Sequence, residues 1–173
     1  MWHFGLDSLA SDVLIGSAAL LLVLASLRDL ATRMVPNGIP LALTAVGILL
    51  SALEGRLVWA LLAGLIVFSF AFLCWRMRWI GGADVKMLGA GAVLVPPTAA
   101  ASFVLATGVA GGVLAVIYLL ARHFVAAPPP AGTAARRGNV LVRAWRAERW
   151  RIHRGCPLPY ACAIACGALM MLR

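Results

Sequence analysis

Hydrophobic residues fall into six runs along the chain, separated by charged or turn-forming residues. A hydrocarbon core about 30 Å thick is crossed by roughly 20 apolar residues in a helix, and the longer runs approach that length. The pattern therefore predicts an all-α membrane protein, a polytopic bundle of about six transmembrane helices. The predicted helices are Val13 to Leu27, Ile39 to Leu53, Leu57 to Cys74, Val85 to Val95, Ala99 to Ala121 and Leu158 to Leu172.

The composition supports this prediction, because 63% of the 173 residues are hydrophobic and only 12% are charged. No soluble class of protein has such a composition. The length accommodates these helices with short connections, so we expect a single integral membrane domain over residues 1–173. The sequence therefore predicts one compact bundle that lies in lipid.

One longer connection, at about residues 123–155, is rich in proline and arginine and contains Trp145 and Trp150. We interpret it as a basic cytoplasmic loop in which residues 139–153 form a helix on lipid headgroups. Interleaved arginine and tryptophan also suit single-stranded nucleic acid. The position between two hydrophobic runs favours lipid as the partner, so we expect no nucleic acid.

The basic residues predict how the helices are oriented. With the amino terminus outside, all but two of the 15 Lys and Arg residues lie in cytoplasmic connections. The two exceptions are Arg56 and Arg173. Because cytoplasmic loops carry an excess of Lys and Arg, this orientation is the predicted one.

Two of the six acidic residues fall on the same predicted side, because Asp29 ends the first helix and Asp84 begins the fourth. Ionisable groups at membrane depth are energetically unfavourable and usually mark a functional site. Either aspartate alone could equally end a helix or balance the neighbouring Arg28 or Lys86. As a pair at similar depth, they are the candidate catalytic residues.

The residues around each aspartate are also distinctive. The chain after Asp29 turns at Pro36-Asn37-Gly38, since proline fixes the backbone and Asn-Gly favours a turn. Gly81, Gly82 and Ala83 precede Asp84 and lack the bulk that would keep another chain away. An extended substrate fits such a site, although a hinge or close helix packing would use the same glycines.

This combination resembles the prepilin and preflagellin peptidase family. These membrane aspartyl proteases have an Ile-Pro-Asn-like element after the first catalytic aspartate and a Gly-x-Gly-Asp motif at the second. Val35-Pro36-Asn37 begins six residues after Asp29, and Gly81-Gly82-Ala83-Asp84 matches the second motif at its first and last positions. Val85-Lys86 and Leu158-Pro159-Tyr160 are also similar to the family. Ala83 departs from the family's glycine.

The resemblance implies that Asp29 and Asp84 are catalytic. It implies a protease of the bacterial inner membrane that cuts the short basic leader from a prepilin at the cytoplasmic face, beside lipid and pilus-assembly proteins. The chain has no insertion with two Cys-x-x-Cys pairs after its first helix, and it resembles the short, peptidase-only branch that serves Flp-type pili. Residues that support the motifs or line the substrate path are Pro36, Asn37, Gly81, Gly82, Ala83, Lys86, Pro159 and Tyr160.

The chemistry implied is hydrolysis by two carboxyl groups that share one proton, one activating water and the other protonating the carbonyl oxygen. We expect no cofactor and no metal, because the four cysteines lack Cys-x-x-Cys spacing, although Cys162 and Cys166 share a helix face. The helix dipole favours a charged Asp84 and hence Asp84 as the base. The pair nevertheless titrates as a unit.

Two other functions remain open from the residues alone. A small ion- or proton-coupled transporter also uses intramembrane aspartates, but usually near the bilayer midplane between repeated halves. A noncatalytic pilus-assembly protein would keep the fold without the activity, and Ala83 is the feature that favours it. The position of both aspartates at one edge of the helices favours the protease.

Overall fold

A computed structural model describes residues 2–124 and 158–172, with side chains from residue 8 onward. This part of the chain forms six α-helices and one short 3-10 helix, Pro97–Ala99, which confirms the predicted all-α fold. The predicted surface helix at residues 139–153 lies outside the described residues. The helices are α1 (Trp2–Thr32), α2 (Gly38–Leu53), α3 (Leu57–Arg76), α4 (Gly82–Leu94), α5 (Ala100–Phe124) and α6 (Tyr160–Met171).

Three of these segments are long and apolar enough to span a membrane, namely Ser8–Thr32, Leu57–Arg76 and Pro97–Phe124. They belong to α1, α3 and α5. The helices α2 and α6 are apolar but shorter. The 13 residues of α4 rise only about 20 Å, less than the roughly 30 Å of a hydrocarbon core. The chain is thus a membrane protein in which long and short helices alternate.

The first helix differs most from its predicted bounds. It was expected to begin at Val13 and instead begins at Trp2. No proline precedes Val13 in the sequence, and polar residues such as Ser8 and Asp12 do not by themselves stop a helix. Hydrophobic run length therefore underestimates the length of α1.

The short helix α4 lies at the centre of the bundle, where it packs on α2, α3 and α6. Small residues allow this close packing, as is usual between helices in membranes. A Cβ atom on Gly47 of α2 would stand 3.0 Å from the Cα atom of Leu94, and one on Gly91 would stand 2.6 Å from the ring of Phe103. Most of α4 is consequently buried.

The outer surface of the bundle is apolar. Large side chains such as Trp59, Ile66, Leu105 and Val109 are mostly exposed on the long helices. This distribution suits lipid, in which apolar side chains can face outward while helical backbones satisfy their own hydrogen bonds.

Each end of the bundle has a defined turn. The end at which α1 finishes and α4 starts is termed the aspartate end. There Arg33 adopts a positive φ of 56°, and its backbone N–H donates to the Asp29 carbonyl at 2.8 Å. A left-handed residue of this kind commonly terminates a helix, so α1 ends just beyond Asp29.

At the opposite end, Arg56 connects the start of α3 to the end of α4. Its guanidinium donates to the carbonyl oxygens of Val95 at 3.0 Å and Leu94 at 3.3 Å, and it forms an ion pair with Glu54. The last carbonyls of a helix have no partner within the helix. Arg56 therefore supplies the donors that the end of α4 needs.

Candidate active site

Asp29 lies in the last turn of α1 and is only 8% exposed. Its Oδ2 atom accepts a hydrogen bond of 3.1 Å from the backbone N–H of Ala161. Ala161 is in the first turn of α6, where backbone N–H groups have no acceptor within their own helix. The positive end of α6 thus faces the Asp29 carboxyl group.

Further contacts fix the start of α6 against α1. The Ser26 hydroxyl donates to the carbonyl of Ala161 at 3.4 Å as well as to that of Leu22 at 2.9 Å. The Cys162 thiol donates to the Ser26 carbonyl at 3.7 Å. Neither Ser26 nor Ala161 was predicted from the sequence. The contact of Ala161 with Asp29 uses a backbone N–H group, which the type of residue does not reveal. Pro159, which precedes the helix, was the one available indication.

Asp84 is the third residue of α4, and its side chain is partly buried. Its Oδ2 atom accepts a hydrogen bond of 3.1 Å from the backbone N–H of Gly81. A Cβ atom on Gly81 would stand 3.0 Å from the same oxygen. Glycine at this position therefore leaves room for the carboxyl group while fixing its direction.

The two aspartates interact, and Asp84 lies in α4, outside the three membrane-spanning helices. Burial raises the pKa of Asp84 from its ordinary 3.8 to about 6, the Gly81 N–H lowers this pKa, and the negative charge of Asp29 raises it. Such an effect requires that the carboxyl groups be near each other. The structure therefore places the two aspartates predicted from sequence at the same end of the bundle, and burial is the main cause of the raised pKa of Asp84.

The motifs that follow the aspartates are joined by a side-chain hydrogen bond. The Lys86 ammonium group donates to the Asn37 side-chain oxygen at 2.8 Å, in an exposed position. The Pro36 carbonyl oxygen accepts a hydrogen bond of 3.0 Å from the backbone N–H of Ile39, which closes the turn before α2. Pro36, Asn37 and Lys86 thus connect the start of α2 to the first turns of α4.

The remaining residues of the second motif shape the start of α4. A Cβ atom on Gly82 would stand 3.4 Å from the Trp75 indole nitrogen, so the indole ring lies close against this backbone. Ala83 is partly buried in the same first turn. Gly82 and Ala83 are therefore small residues at the start of α4, where the Trp75 ring lies close to the backbone.

Pro159 and Tyr160 form the start of α6. Pro159 is buried and precedes the first helical residue. The Tyr160 ring packs on α5, where a Cβ atom on Gly111 would stand 3.1 Å from a ring carbon. These contacts hold the beginning of α6 in place, and with it the N–H group that binds Asp29.

Two carboxyl groups lie at one end of the bundle. Each accepts a hydrogen bond from a backbone N–H group, and Asp84 keeps its proton to a higher pH than an ordinary aspartate. Among the described residues, no three His, Cys, Asp or Glu side chains are grouped so as to hold a metal ion. Two carboxyl groups at one end of a bundle are suited to general acid and base catalysis.

A sequence model described as the type IV leader peptidase family matches residues 17–116. This segment covers more than half of the chain and includes Asp29, Asp84 and the motifs that follow them. No curated protein and no solved structure matches the chain.

Proposed function

Because the chain belongs to the type IV leader peptidase family, we propose that it is an aspartyl endopeptidase that removes the short basic leader from Flp-type prepilins. Cleavage takes place at the cytoplasmic face of the bacterial inner membrane, and the amino terminus lies outside. The observation that carries the proposal is the position of Asp29 and Asp84 at the same end of the bundle, in the last turn of α1 and the first turn of α4.

In the proposed mechanism, Asp29 is the base and Asp84 is the acid. Asp29 takes a proton from water, the water oxygen attacks the scissile carbonyl carbon, and Asp84 gives its proton to the carbonyl oxygen. Asp84 then recovers a proton from the tetrahedral intermediate while Asp29 protonates the leaving nitrogen, and the C–N bond breaks. Both carboxyl groups return to their starting protonation states.

The hydrogen bonds of the two aspartates support this division of roles. The Ala161 N–H and the positive end of α6 face Asp29, and both favour a negative charge there. Burial raises the pKa of Asp84, so this carboxyl group holds its proton to a higher pH than an ordinary aspartate. The assignment reverses the preference that the helix dipole alone gives to Asp84 as base.

The proposed substrate and orientation follow from charge. With the aspartate end in the cytoplasm, most basic residues of the chain are cytoplasmic as well, as the positive-inside rule requires. The connection between α1 and α2 is short, residues 33–37, and has no room for the insertion of the larger family members. This favours the peptidase-only branch and Flp-type precursors.

A transporter is less well supported than a peptidase. Proton-coupled transporters usually carry their acidic groups near the bilayer midplane. Asp29 lies in the last turn of α1, and Asp84 lies in the first turn of α4. Positions at helix ends give the carboxyl groups access to the interface, where water and a peptide bond can reach them.

Cleavage of a Flp-type precursor in membranes tests the proposal. Wild type is compared with Asp29→Asn and Asp84→Asn, which keep side-chain shape but cannot exchange the proton. We expect each variant to lose at least about 100-fold in rate, the usual effect of removing a general acid or base. Asp12→Asn, an exposed position on the same helix as Asp29, is the control and should cleave like wild type. Processing by either catalytic variant at a rate near wild type would refute the proposal, provided that expression and membrane insertion are equal.

A further inference from the structure

Two apolar grooves open on the outside of the bundle, one on each side of α3. The α2–α3 groove has a volume of about 490 Å³ and includes Asn37 and Lys86 in its lining. The α3–α5 groove has a volume of about 640 Å³. Gly89, Ala90 and Val93 of α4 line the first groove and Leu88 of α4 lines the second, so the two grooves expose different faces of α4.

The α3–α5 groove extends over most of the depth of the bundle. Cys74 and Ile80 line it at the aspartate end, while Pro97 and Ala101 line it at the opposite end. None of the described residues in its lining is charged. It exists because α3 packs mainly on α4 while α5 packs mainly on α6, which leaves a gap between α3 and α5.

Asp84 and Lys86 lie on different faces of α4, and each face borders a different groove. Leu88 lines the α3–α5 groove and stands four residues after Asp84, so both lie on one face of α4. Ile80, before the glycines, lines the same groove. Lys86 and Gly89 line the α2–α3 groove. Successive helical residues turn by about 100°, which places Lys86 on the face opposite Asp84.

We propose that the α3–α5 groove binds the apolar helix of the precursor and presents the peptide bond just ahead of that helix to Asp84 and Asp29. This inference rests on the proposed function and adds the path by which the substrate reaches the site. An apolar helix can enter the groove sideways from lipid, and its first residues then lie beside the Ile80–Asp84 segment. The leader extends beyond the groove at the aspartate end.

Position and surface chemistry select this groove over its neighbour. The α3–α5 groove lies on the Asp84 face of α4, whereas the other groove exposes Lys86 on the opposite face. The walls offer large exposed side chains, Ile66 at 68% and Leu105 at 70% exposure, with the small Ala101 between larger residues. Small residues beside large ones favour close helix packing in lipid.

A bulky substitution that fills the α3–α5 groove gives the first test. Ala101 lines the groove and the adjacent Ser102 does not, although both are exposed. We expect Ala101→Trp to slow cleavage of the full precursor about tenfold or more, the order of effect of losing one well-packed contact in an interface. Ser102→Trp adds the same bulk outside the groove and should cleave at the wild-type rate. Equal rates for the two variants would overturn the inference.

A short substrate separates this inference from the proposed function. A soluble peptide that spans the cleavage site but lacks the apolar helix should be cut equally by wild type and Ala101→Trp, because it does not need the groove. If Ala101→Trp fails on this peptide as well, the substitution has damaged the catalytic site and the groove is not its cause. If wild type cuts neither substrate, the proposed function itself is wrong.

Photocrosslinking gives an independent measurement. Benzoylphenylalanine replaces Leu105 in the α3–α5 groove or Leu41 in the α2–α3 groove, both in the Asp84→Asn background so that uncleaved precursor persists. Leu41 is 72% exposed, which matches Leu105 closely. We expect precursor adducts at position 105 to exceed those at position 41 by about tenfold. Adducts with lipid only, or precursor adducts at position 41 equal to or above those at position 105, would overturn the inference.

Discussion

The pH dependence of cleavage follows from Asp84, whose pKa is raised to about 6 by burial and by the charge of Asp29 and lowered by the Gly81 N–H. In the proposed mechanism Asp84 donates a proton, so activity is present below this pKa and is lost as pH rises through it. One pH unit above the pKa, about one molecule in ten keeps the proton. We therefore expect kcat/KM to fall about tenfold per pH unit above about pH 6.

Removal of the Gly81 N–H tests this origin of the pKa. Gly81 has φ of −77° and ψ of 151°, which proline adopts without strain. Gly81→Pro deletes the hydrogen bond to the charged form of Asp84, a type of bond worth about 1.5–3 kcal/mol. Partial exposure reduces that effect, so we expect the pKa of Asp84, and the alkaline fall in kcat/KM, to move upward by about one unit.

Gly81→Ala is the matched control because it keeps the N–H and adds a Cβ atom 3.0 Å from Asp84 Oδ2. The Cβ contact is shared by both variants. Only proline removes the N–H group, and its Cδ atom takes the position of that hydrogen, so the Asp84 carboxyl group turns away in this variant alone. The assay is kcat/KM for the precursor in liposomes between about pH 5 and about pH 9. The reasoning is refuted if the two variants have the same alkaline limb, or if wild-type activity rises above about pH 6.

Three further predictions concern the contacts that hold the site in place, each measured by thermal unfolding in detergent. Lys86→Met should lower the free energy of unfolding by less than about 1 kcal/mol, because its bond to Asn37 is exposed; a larger loss would contradict this. Gly167→Ala should destabilise by about 1–3 kcal/mol, since its Cβ atom would meet the α5 backbone at 3.0 Å. Gly112→Ala, which meets nothing within 4 Å, should not destabilise. Arg56→Gln should destabilise by about 2–4 kcal/mol, because two buried carbonyl groups lose charged donors.

Helix positions could be predicted well from the sequence where turn residues bound the apolar runs. The second and third helices were expected to begin at Ile39 and Leu57, and they begin at Gly38 and Leu57. Asn37 and Gly55 lie in the turns there, and both residue types are common in turns. Helix α1 was predicted too short because its polar first residues are compatible with helix and with loop.

The site was predictable only in part. The order of the motifs indicated that Asp29 and Asp84 would lie at the same end of the bundle, and they do. Their catalytic pairing stays a prediction. The partner of Asp29 could not be predicted, because the Ala161 N–H would be present with almost any residue at that position. The raised pKa of Asp84 could not be predicted from the sequence either. The dipole of α4 is a local property, whereas burial depends on how the other helices pack around Asp84.

Arg56 shows why a short α4 can stand at the centre of a membrane protein. Its charge is one of two exceptions to the predicted cytoplasmic bias of basic residues. Because α4 has only 13 residues, its last carbonyls end among buried apolar residues, where unsatisfied backbone groups cost several kcal/mol. Arg56 brings donors to Leu94 and Val95. The helix is thus capped at one end by Asp84 and at the other by Arg56, so hydrogen bonds from outside the regular helix fix both ends of α4.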